Sequence, residues 1–382
     1  MLMKGTAGSR ALGIMVVSSL ASGRRSWPPF ADRGFYKRLS RTGAQAGIRV
    51  TIFDPLYIDW SRKLVQGYEY DPKQGSWLSV TRPIPPVIFD RCFYSGRSQY
   101  VRYARAISRL RRSRCVKALI VGLSGKWQVH QILAKHNLLR PHLPETRLLA
   151  HMEQVAEWLD LRGACILKPN AGSHGKKILR VAKLASGGYE VTGRDAMNQH
   201  VHAAFDDPAS LLKWLERFIG MRRYLIQESL ALHTDAGQPY DVRALMQKSG
   251  DGRWHLTGMA VRAGRIGSLT SNIHGGGSSY PLTPFLRDLF GEEETESLIL
   301  KLQDLSQLIP HVIERHTGKL AELGIDFGID RSGGLWILEV NSKPGRSIFT
   351  RLHDIRRSKA SVSNLILYAR YLSDRQLGGL AR

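Results

Sequence analysis

Ile325, Phe327 and Ile329 alternate with Asp326, Gly328 and Asp330, the period-two pattern of a strand with one apolar and one polar face. Arg331-Ser-Gly-Gly334 supplies a hairpin turn, and Leu335-Trp-Ile-Leu-Glu-Val340 predicts the returning strand. Ala164-Cys-Ile-Leu-Lys168 predicts a short apolar strand that carries a lysine and runs into a glycine loop, with another strand beyond it. Tyr224-Leu-Ile-Gln227-Glu228 predicts a further strand, apolar at its start and polar at its end. Nearer the N-terminus, residues 12–17, 48–53 and 87–89 read as strands of a small α/β unit. The stretch 57–86 between them is rich in turn residues and predicts irregular structure or short strands. Helical spacing recurs three times. Tyr100, Tyr103, Ala104, Ile107 and Leu110 form one stripe, Leu211, Leu212, Leu215, Phe218 and Ile219 a second, and Leu298, Leu302, Leu305, Ile309 and Val312 a third. Asp207-Pro208 opens the second as an N-cap and N1 pair, and Pro310 predicts a kink in the third.

The polar positions of these strands carry candidate chemistry. Asp326 on one hairpin strand and Glu339 and Asn341 on the other can converge, offering two carboxylates and an amide oxygen. Such hard oxygen ligands suit Mg²⁺ carrying nucleotide phosphates, although a hairpin with solvated acids fits the same residues. Gly172-Ser173-His174-Gly175-Lys176 follows the lysine strand, and glycines there would let backbone amides approach phosphate. A turn with basic flanks fits this segment too. It is not a Walker loop, because Gly172 and Gly175 lie three apart rather than five and no Ser or Thr follows Lys176. Gly237-Gln-Pro-Tyr-Asp241-Val-Arg243 and the stretch from Arg262 through Asn272 to Gly277 add further polar positions.

In this order and spacing the segments resemble the ATP-grasp superfamily, and within it the YheC/YheD-like family, described as endospore coat-associated. Residues 47–60 (GIRVTIFDPLYIDW), Phe89-Asp-Arg91, Gly125-Lys-Trp-Gln-Val-His130 and Leu143-Pro-Glu-Thr146 carry that resemblance together with the motifs above. It implies a mixed α/β fold in which two ATP-grasp subdomains grip the nucleotide behind a small N-terminal α/β domain. The expected organisation is an N-terminal domain over 10–95, a basic helical connector over 96–120, and the ATP-grasp part over 121–375. The lid subdomain spans about 145–228. The resemblance also implies ATP and Mg²⁺, expected as two ions, and ligation of a carboxylate to an amine through an acyl phosphate. Lys126, Lys168 and the loop of Gly172, Ser173, Gly175 and Lys176 would then meet the phosphates. Gln227, Glu228 and Leu230 would hold adenine and ribose. Arg243, Arg262 and Asn272 would face the transferring phosphate, and Asp326, Glu339 and Asn341 the metals. Lys343 and Arg346 are further candidates for substrate or phosphate. Many such ligases carry an arginine two residues before the first metal carboxylate. Gly324 stands there, and the role is transferred to Arg262. The alternative is a coat-associated structural protein that retains nucleotide binding without ligating anything.

Composition narrows the classes. Three scattered cysteines, Cys92, Cys115 and Cys165, form neither a disulfide framework nor a zinc motif, as expected in a reducing cytoplasm or the interior of a cell, to which the resemblance adds association with a spore. No apolar run reaches membrane-spanning length, and 12–17 reads as a buried strand rather than a signal segment. There is no G-x-S-x-G elbow and no H-R-D or D-F-G triplet, which removes α/β-hydrolases and protein kinases. The formal net charge is +24, and residues 91–144 hold twelve Lys or Arg and no acid. Arg102, Arg105, Arg109 and Arg112 turn away from the first helical stripe. That face is expected to be solvated, without sequence-specific nucleic-acid binding.

Overall fold

The computed structural model describes residues 10–18, 27–172, 175–269, 271 and 276–377. Its first sheet contains β1 (Ala11–Met15), β2 (Arg49–Asp59), β3 (Leu64–Asp71), β4 (Ser76–Pro83), β5 (Val87–Asp90) and β6 (Ala118–Ile120). The order is β4-β3-β2-β1-β5-β6, with β2, β1, β5 and β6 parallel and the β2-β3-β4 edge antiparallel. Residues 64–83 therefore form two eight-residue strands where short or irregular structure was expected. Their signal is weak because β4 lies at the sheet edge and stays largely exposed, which leaves little apolar alternation to read. The turn is local: the Asp71 carboxylate accepts from the backbone of Lys73, and Gly75 closes it at φ +68°.

Helices α1 (Arg33–Gln45) and α2 (Arg97–Arg112) cover opposite faces of this sheet. In α2, Tyr103, Ile107 and Leu110 enter the core with Met15, Phe53 and Ile88. Tyr100 does not. It is 55% exposed and sets its ring edge-on to Tyr94. The segment expected as a connector thus packs its helix on the first sheet, and β6 becomes that sheet's last strand. Arg109 lies over the Trp60 ring at 4.3 Å, while Arg102, Arg105 and Arg112 are exposed. Converting those three to glutamine is expected to leave melting and ATP affinity at the parental values. Arg109→Gln should cost about 0.5–1 kcal/mol of lost cation–π contact. Thermal melts and nucleotide titration of both variants check this, and tight sequence-discriminating DNA or RNA binding by the parent would overturn the solvated-face reading.

Beyond β6, α3 (Lys126–Ala134) leads to a second sheet. It contains β7 (Thr146–Leu149), β8 (Ala164–Pro169), β9 (Leu179–Lys183), β10 (Tyr189–Arg194), β11 (His200–Phe205) and β12 (Tyr224–Glu228), in the antiparallel order β11-β10-β9-β8-β12-β7. Two helices pack on it, α4 (Glu153–Arg162) and α5 (Pro208–Ile219), with Trp158, Leu211 and Leu215 in their shared core. The Asp207 carboxylate caps α5 by accepting from Ser210 N at 2.9 Å, as the Asp-Pro pair predicts.

The third sheet contains β13 (Tyr240–Lys248), β14 (Trp254–Ala263), β15 (Ser278–Tyr280), β16 (Glu322–Ile329) and β17 (Leu335–Asn341), in the order β15-β14-β13-β16-β17. Alternation divides its faces. Val242, Ala244, Ile325, Phe327 and Ile329 form a core with α6 (Leu282–Phe290) and α7 (Glu292–Thr317). α7 runs through Pro310 without ending and buries all five residues of its predicted stripe. Asp241, Arg243, Glu322 and Asp326 lie on the opposite face. The chain then passes through α8 (Ser347–Arg351) into α9 (Ile355–Leu377), which returns to the first sheet.

Candidate active site

Register brings the predicted polar positions of the third sheet into one row. Arg243 on β13 stands opposite Asp326 on β16, which stands opposite Glu339 on β17. One step along, Gly324 faces Asn341. Because β17 alternates, Glu339 and Asn341 share a face. On the far side Arg262 of β14 pairs with Asp241 of β13.

Asp326 is 7% exposed and held by two guanidinium groups. Arg243 forks onto it, with Nη2 donating to Oδ2 at 2.9 Å and Nε to Oδ1, while Arg262 Nη2 stands 3.0 Å from Oδ1. Arg262 also forks onto Asp241, donating from Nε and Nη2 at 2.7 Å each, and Ser271 Oγ donates to the same carboxylate. Burial alone would raise the Asp326 pKa, but Arg243 and Arg262 outweigh it and hold the carboxyl below its ordinary range. Burial likewise opposes charge on Arg262, and Asp241 and Asp326 more than restore it. No side chain fits at Gly324: a Cβ there would stand 2.8 Å from Pro344 Cβ and 3.3 Å from Arg243 Nη1. The Arg243 guanidinium therefore fills the space beside the first carboxylate, so both Arg243 and Arg262 serve it.

The second sheet supplies the opposing wall. Lys168 points from β8 and donates from Nζ to Gln227 Oε1 at 2.8 Å and to the Leu338 carbonyl at 3.3 Å. Gln227 in turn donates to Thr146 Oγ1 at 2.7 Å. Lys126, in the first turn of α3, stands 3.4 Å from Glu339 Oε2. Lys126, His130, Thr146, Lys168, Gln227 and Glu339 line one cleft of about 400 Å³ including its open mouth, with apolar walls from Val129, Leu225 and Ile337. Burial, then the charge of Lys126, pushes Lys168 down to about 8 against the attraction of Glu339 and Asp326. Burial and Lys168 push His130 down to about 4, so a neutral imidazole stacks on Trp127 near neutral pH.

Several residues with no role read from sequence complete the site. The Asn170 carbonyl accepts from Lys126 N at 2.9 Å and its Oδ1 from Trp127 N at 2.8 Å, tying the start of α3 to the end of the lysine strand. Gly125 permits this approach, since a Cβ there would fall 2.6 Å from Asn170 Nδ2. Thr146 and His130 stand inside the quoted motifs and Asn170 lies between the lysine strand and the glycine loop, and the only signal for them was polarity next to a predicted contact. Other expected residues sit at the margins. Gly172 and Gly175 adopt φ of +141° and +68°, Lys176 is exposed, and Glu228 and Leu230 are half-buried where the chain leaves β12. Ser173 and Asn272 lie outside the described residues. Lys343 is spent on Asp90 (2.9 Å) and the Cys92 carbonyl (2.7 Å), and Arg346 is buried against Glu322.

The donors fit a hard cation. Among the described residues no group of three or more His, Cys, Asp or Glu is placed to hold a metal; the oxygen donors that would hold one are the carboxylates of Asp326 and Glu339, with Asn341 two residues on along the same strand face. The surrounding Lys126, Lys168, Arg243 and Arg262 suit the phosphates that such a cation accompanies.

Comparison with known proteins gives the family and the fold. The chain is 29% identical over 324 residues to the endospore coat-associated protein YheC of Bacillus subtilis, covering 84% of this chain and 87% of that one. It is 28% identical over 353 residues to YheD of the same organism, covering 91% and 76%. Among solved structures, D-cycloserine synthetase DcsG superposes with a TM-score of 0.53 at 14% identity, covering 96% of this chain and 99% of that one. The ADP complex of N5-carboxyaminoimidazole synthetase from Staphylococcus aureus gives 0.51 at 9%, covering 94% and 78%. At such identities these two likenesses concern the fold alone. A family model described as YheC/D like ATP-grasp matches residues 118–372, and the chain belongs to that family.

Proposed function

We propose that the protein is an ATP-dependent ligase that joins a carboxylate to an amine through an acyl phosphate. The observation that carries this reading is one cleft lined by Lys126, Lys168 and Glu339, with Asp326 opposite Glu339 in the strand ladder and Asn341 two residues along its strand. A substrate carboxylate oxygen attacks the γ-phosphorus of ATP and ADP leaves. The amine then attacks the acyl carbon and phosphate leaves. Both anions in the first step repel, and the residues present are suited to remove that repulsion. Lys126 and Lys168 bind the phosphate chain. Arg243 and Arg262 keep Asp326 ionised and oriented, and Glu339 and Asn341 complete the metal ligands. When bound, two Mg²⁺ ions would supply further neutralisation of the phosphate oxygens. Gln227 orients Lys168 at the adenine end of the cleft.

The names of the two Bacillus subtilis relatives support a setting at the spore coat. Among the described residues no helix is long and apolar enough to cross a membrane. A coat component that binds nucleotide without ligation is the competing reading, and one assay separates the two. Incubation with ATP, Mg²⁺ and a panel of carboxylates and amines should release ADP only with a particular carboxylate. Nucleotide binding with no carboxylate-dependent ADP across the panel favours the structural role, and no ATP binding at millimolar nucleotide defeats both.

Lys168 gives the binding step a pH signature. In the free protein it loses its proton above about 8, and phosphate in contact with it restores the charge. Above that pH, binding takes up a proton, so ATP affinity should fall with rising pH by up to about tenfold per unit. The ligand-free fold changes in the other direction. A lysine pKa depressed by folding makes stability rise with pH between about 8 and the ordinary 10.5. Calorimetric titration in buffers of different ionisation enthalpy measures the proton uptake, and a flat profile from pH 7 to 9.5 would remove Lys168 from the phosphate site.

A further inference from the structure

Two segments that carry opposite sides of the cleft run past each other in reverse. One is Gly122 to Lys126, which leaves β6 and enters α3, and the other is Glu339 to Lys343, which ends β17. Lys126 meets Glu339 at 3.4 Å, Leu123 N donates to Ser342 Oγ at 2.7 Å, and Gly122 lies against the Lys343 side chain. The far end of this pairing is tight. A Cβ at Gly122 would stand 2.8 Å from Lys343 Cε and 3.1 Å from Ser342 Oγ. The Gly122 backbone is not left-handed, so the glycine answers to that contact and not to a turn.

Lys343 is fixed from beyond the cleft. Its ammonium donates to Asp90 Oδ2 at 2.9 Å and to the Cys92 carbonyl at 2.7 Å, and it lies over the Phe93 and Tyr94 rings at 5.9 and 5.6 Å from their centroids. The Asp90 side chain is 4% exposed, and its Oδ1 accepts from Cys92 N at 2.8 Å. Asp90 closes β5, the neighbour of β6 in the first sheet. The ammonium therefore has a carboxylate, a carbonyl and two ring faces, and its stem is held in one place between the first and third sheets. Lys343 is four residues from Glu339, and Gly122 is four from Lys126. A shift of the lysine stem changes how closely the two segments approach, and with it the spacing of Lys126 and Glu339. Groups that touch no metal but hold its ligands in place are worth about 10–100-fold in metal affinity.

We propose that Lys343 is a positioning residue for the nucleotide and its metal: pinned by Asp90 against Gly122, it sets the distance between Lys126 and Glu339. That role rests on the cleft holding Mg²⁺ and a nucleotide. ADP is the probe, titrated calorimetrically into the full chain with Mg²⁺ and with a chelator. In the parent, Mg²⁺ is expected to strengthen ADP binding. Lys343→Met, which keeps the stem and removes the ammonium, should lower that gain about tenfold or more. Gly122→Ala should lower it too, because the added methyl displaces the flexible end of Lys343, and it keeps the test decisive if Lys343→Met fails to fold. Lys248→Met controls for lost stability. The Lys248 ammonium pairs with Glu314 and lies over the Trp254 and Tyr368 rings, similar surroundings, but it does not line the cleft. That variant should melt lower and keep the parental Mg²⁺ gain. A parental gain in folded Lys343→Met or Gly122→Ala overturns the role, as does an equal loss in Lys248→Met, and the ligase reading survives either result. A parent in which Mg²⁺ adds nothing to ADP binding sinks the metal reading of the cleft, and the role of Lys343 with it.

Discussion

On the ligase reading, Glu339→Gln is expected to depress ADP formation severely and to leave the fold intact. The side chain stands in the cleft facing Lys126 at 3.4 Å and next to Asp326 across the β16–β17 ladder. Glutamine keeps the shape and removes the negative charge that a cation and the lysine row both require. A loss of about 10²–10³ in turnover is expected from deleting one such electrostatic partner. The neighbouring acid supplies the contrast. Asp330 accepts from Ser332 N at 2.9 Å, Gly334 N at 2.9 Å and Trp336 Nε1 at 2.7 Å, so its carboxylate shapes the hairpin turn. Asp330→Asn should therefore cost about 1 kcal/mol of stability and little turnover. Steady-state ADP release and denaturant melts of both variants decide the matter, and equal loss of turnover in the two would show that the ligand assignment is wrong.

Asp326→Ala produces the largest expected loss of stability, about 3–5 kcal/mol, because it leaves buried cations without their counter-charge. Arg243 loses both of its carboxylate bonds, and Arg262 retains only Asp241. The pH dependence has a definite sign. Since the folded carboxyl titrates below its unfolded value, the stabilisation is fully present above about pH 4 and is lost as pH falls through the folded pKa. Urea melts from pH 7 down to 3 should show the parent converging on the variant. A difference below about 1 kcal/mol at pH 7, the size of an exposed ion pair, would mean that Asp326 is not the counter-ion of this pair.

The parts of the site that were legible in the chain are those whose signal is local. Alternation at 325–330 and the turn at 331–334 predicted β16 and β17, and their pairing alone brings Asp326 to Glu339. The lysine strand and the Asp207-Pro208 helix start were readable for the same reason. What the chain does not show is which distant strand lies alongside. Only the insertion of β13 between β14 and β16 turns Arg243 and Arg262 toward one carboxylate. Lys343 and Arg346 looked like phosphate contacts because they follow the metal motif, yet the fold commits them to Asp90 and Glu322. The β3–β4 hairpin was read only as irregular structure or short strands for the opposite reason, since the exposed edge strand β4 leaves almost no apolar trace.

The return of α9 to the first sheet bears on the order in which the chain can fold during synthesis. Val362, Leu365, Ile366 and Tyr368 are packed with Leu12, Leu39 and Val50, and Arg10 is paired to Asp374. β1 and β2 therefore leave the ribosome long before α9 and wait for it with one apolar face only partly covered by α1. The first sheet expressed without residues 355–377 would expose that face and aggregate, and the nascent chain would need a chaperone there until α9 emerges.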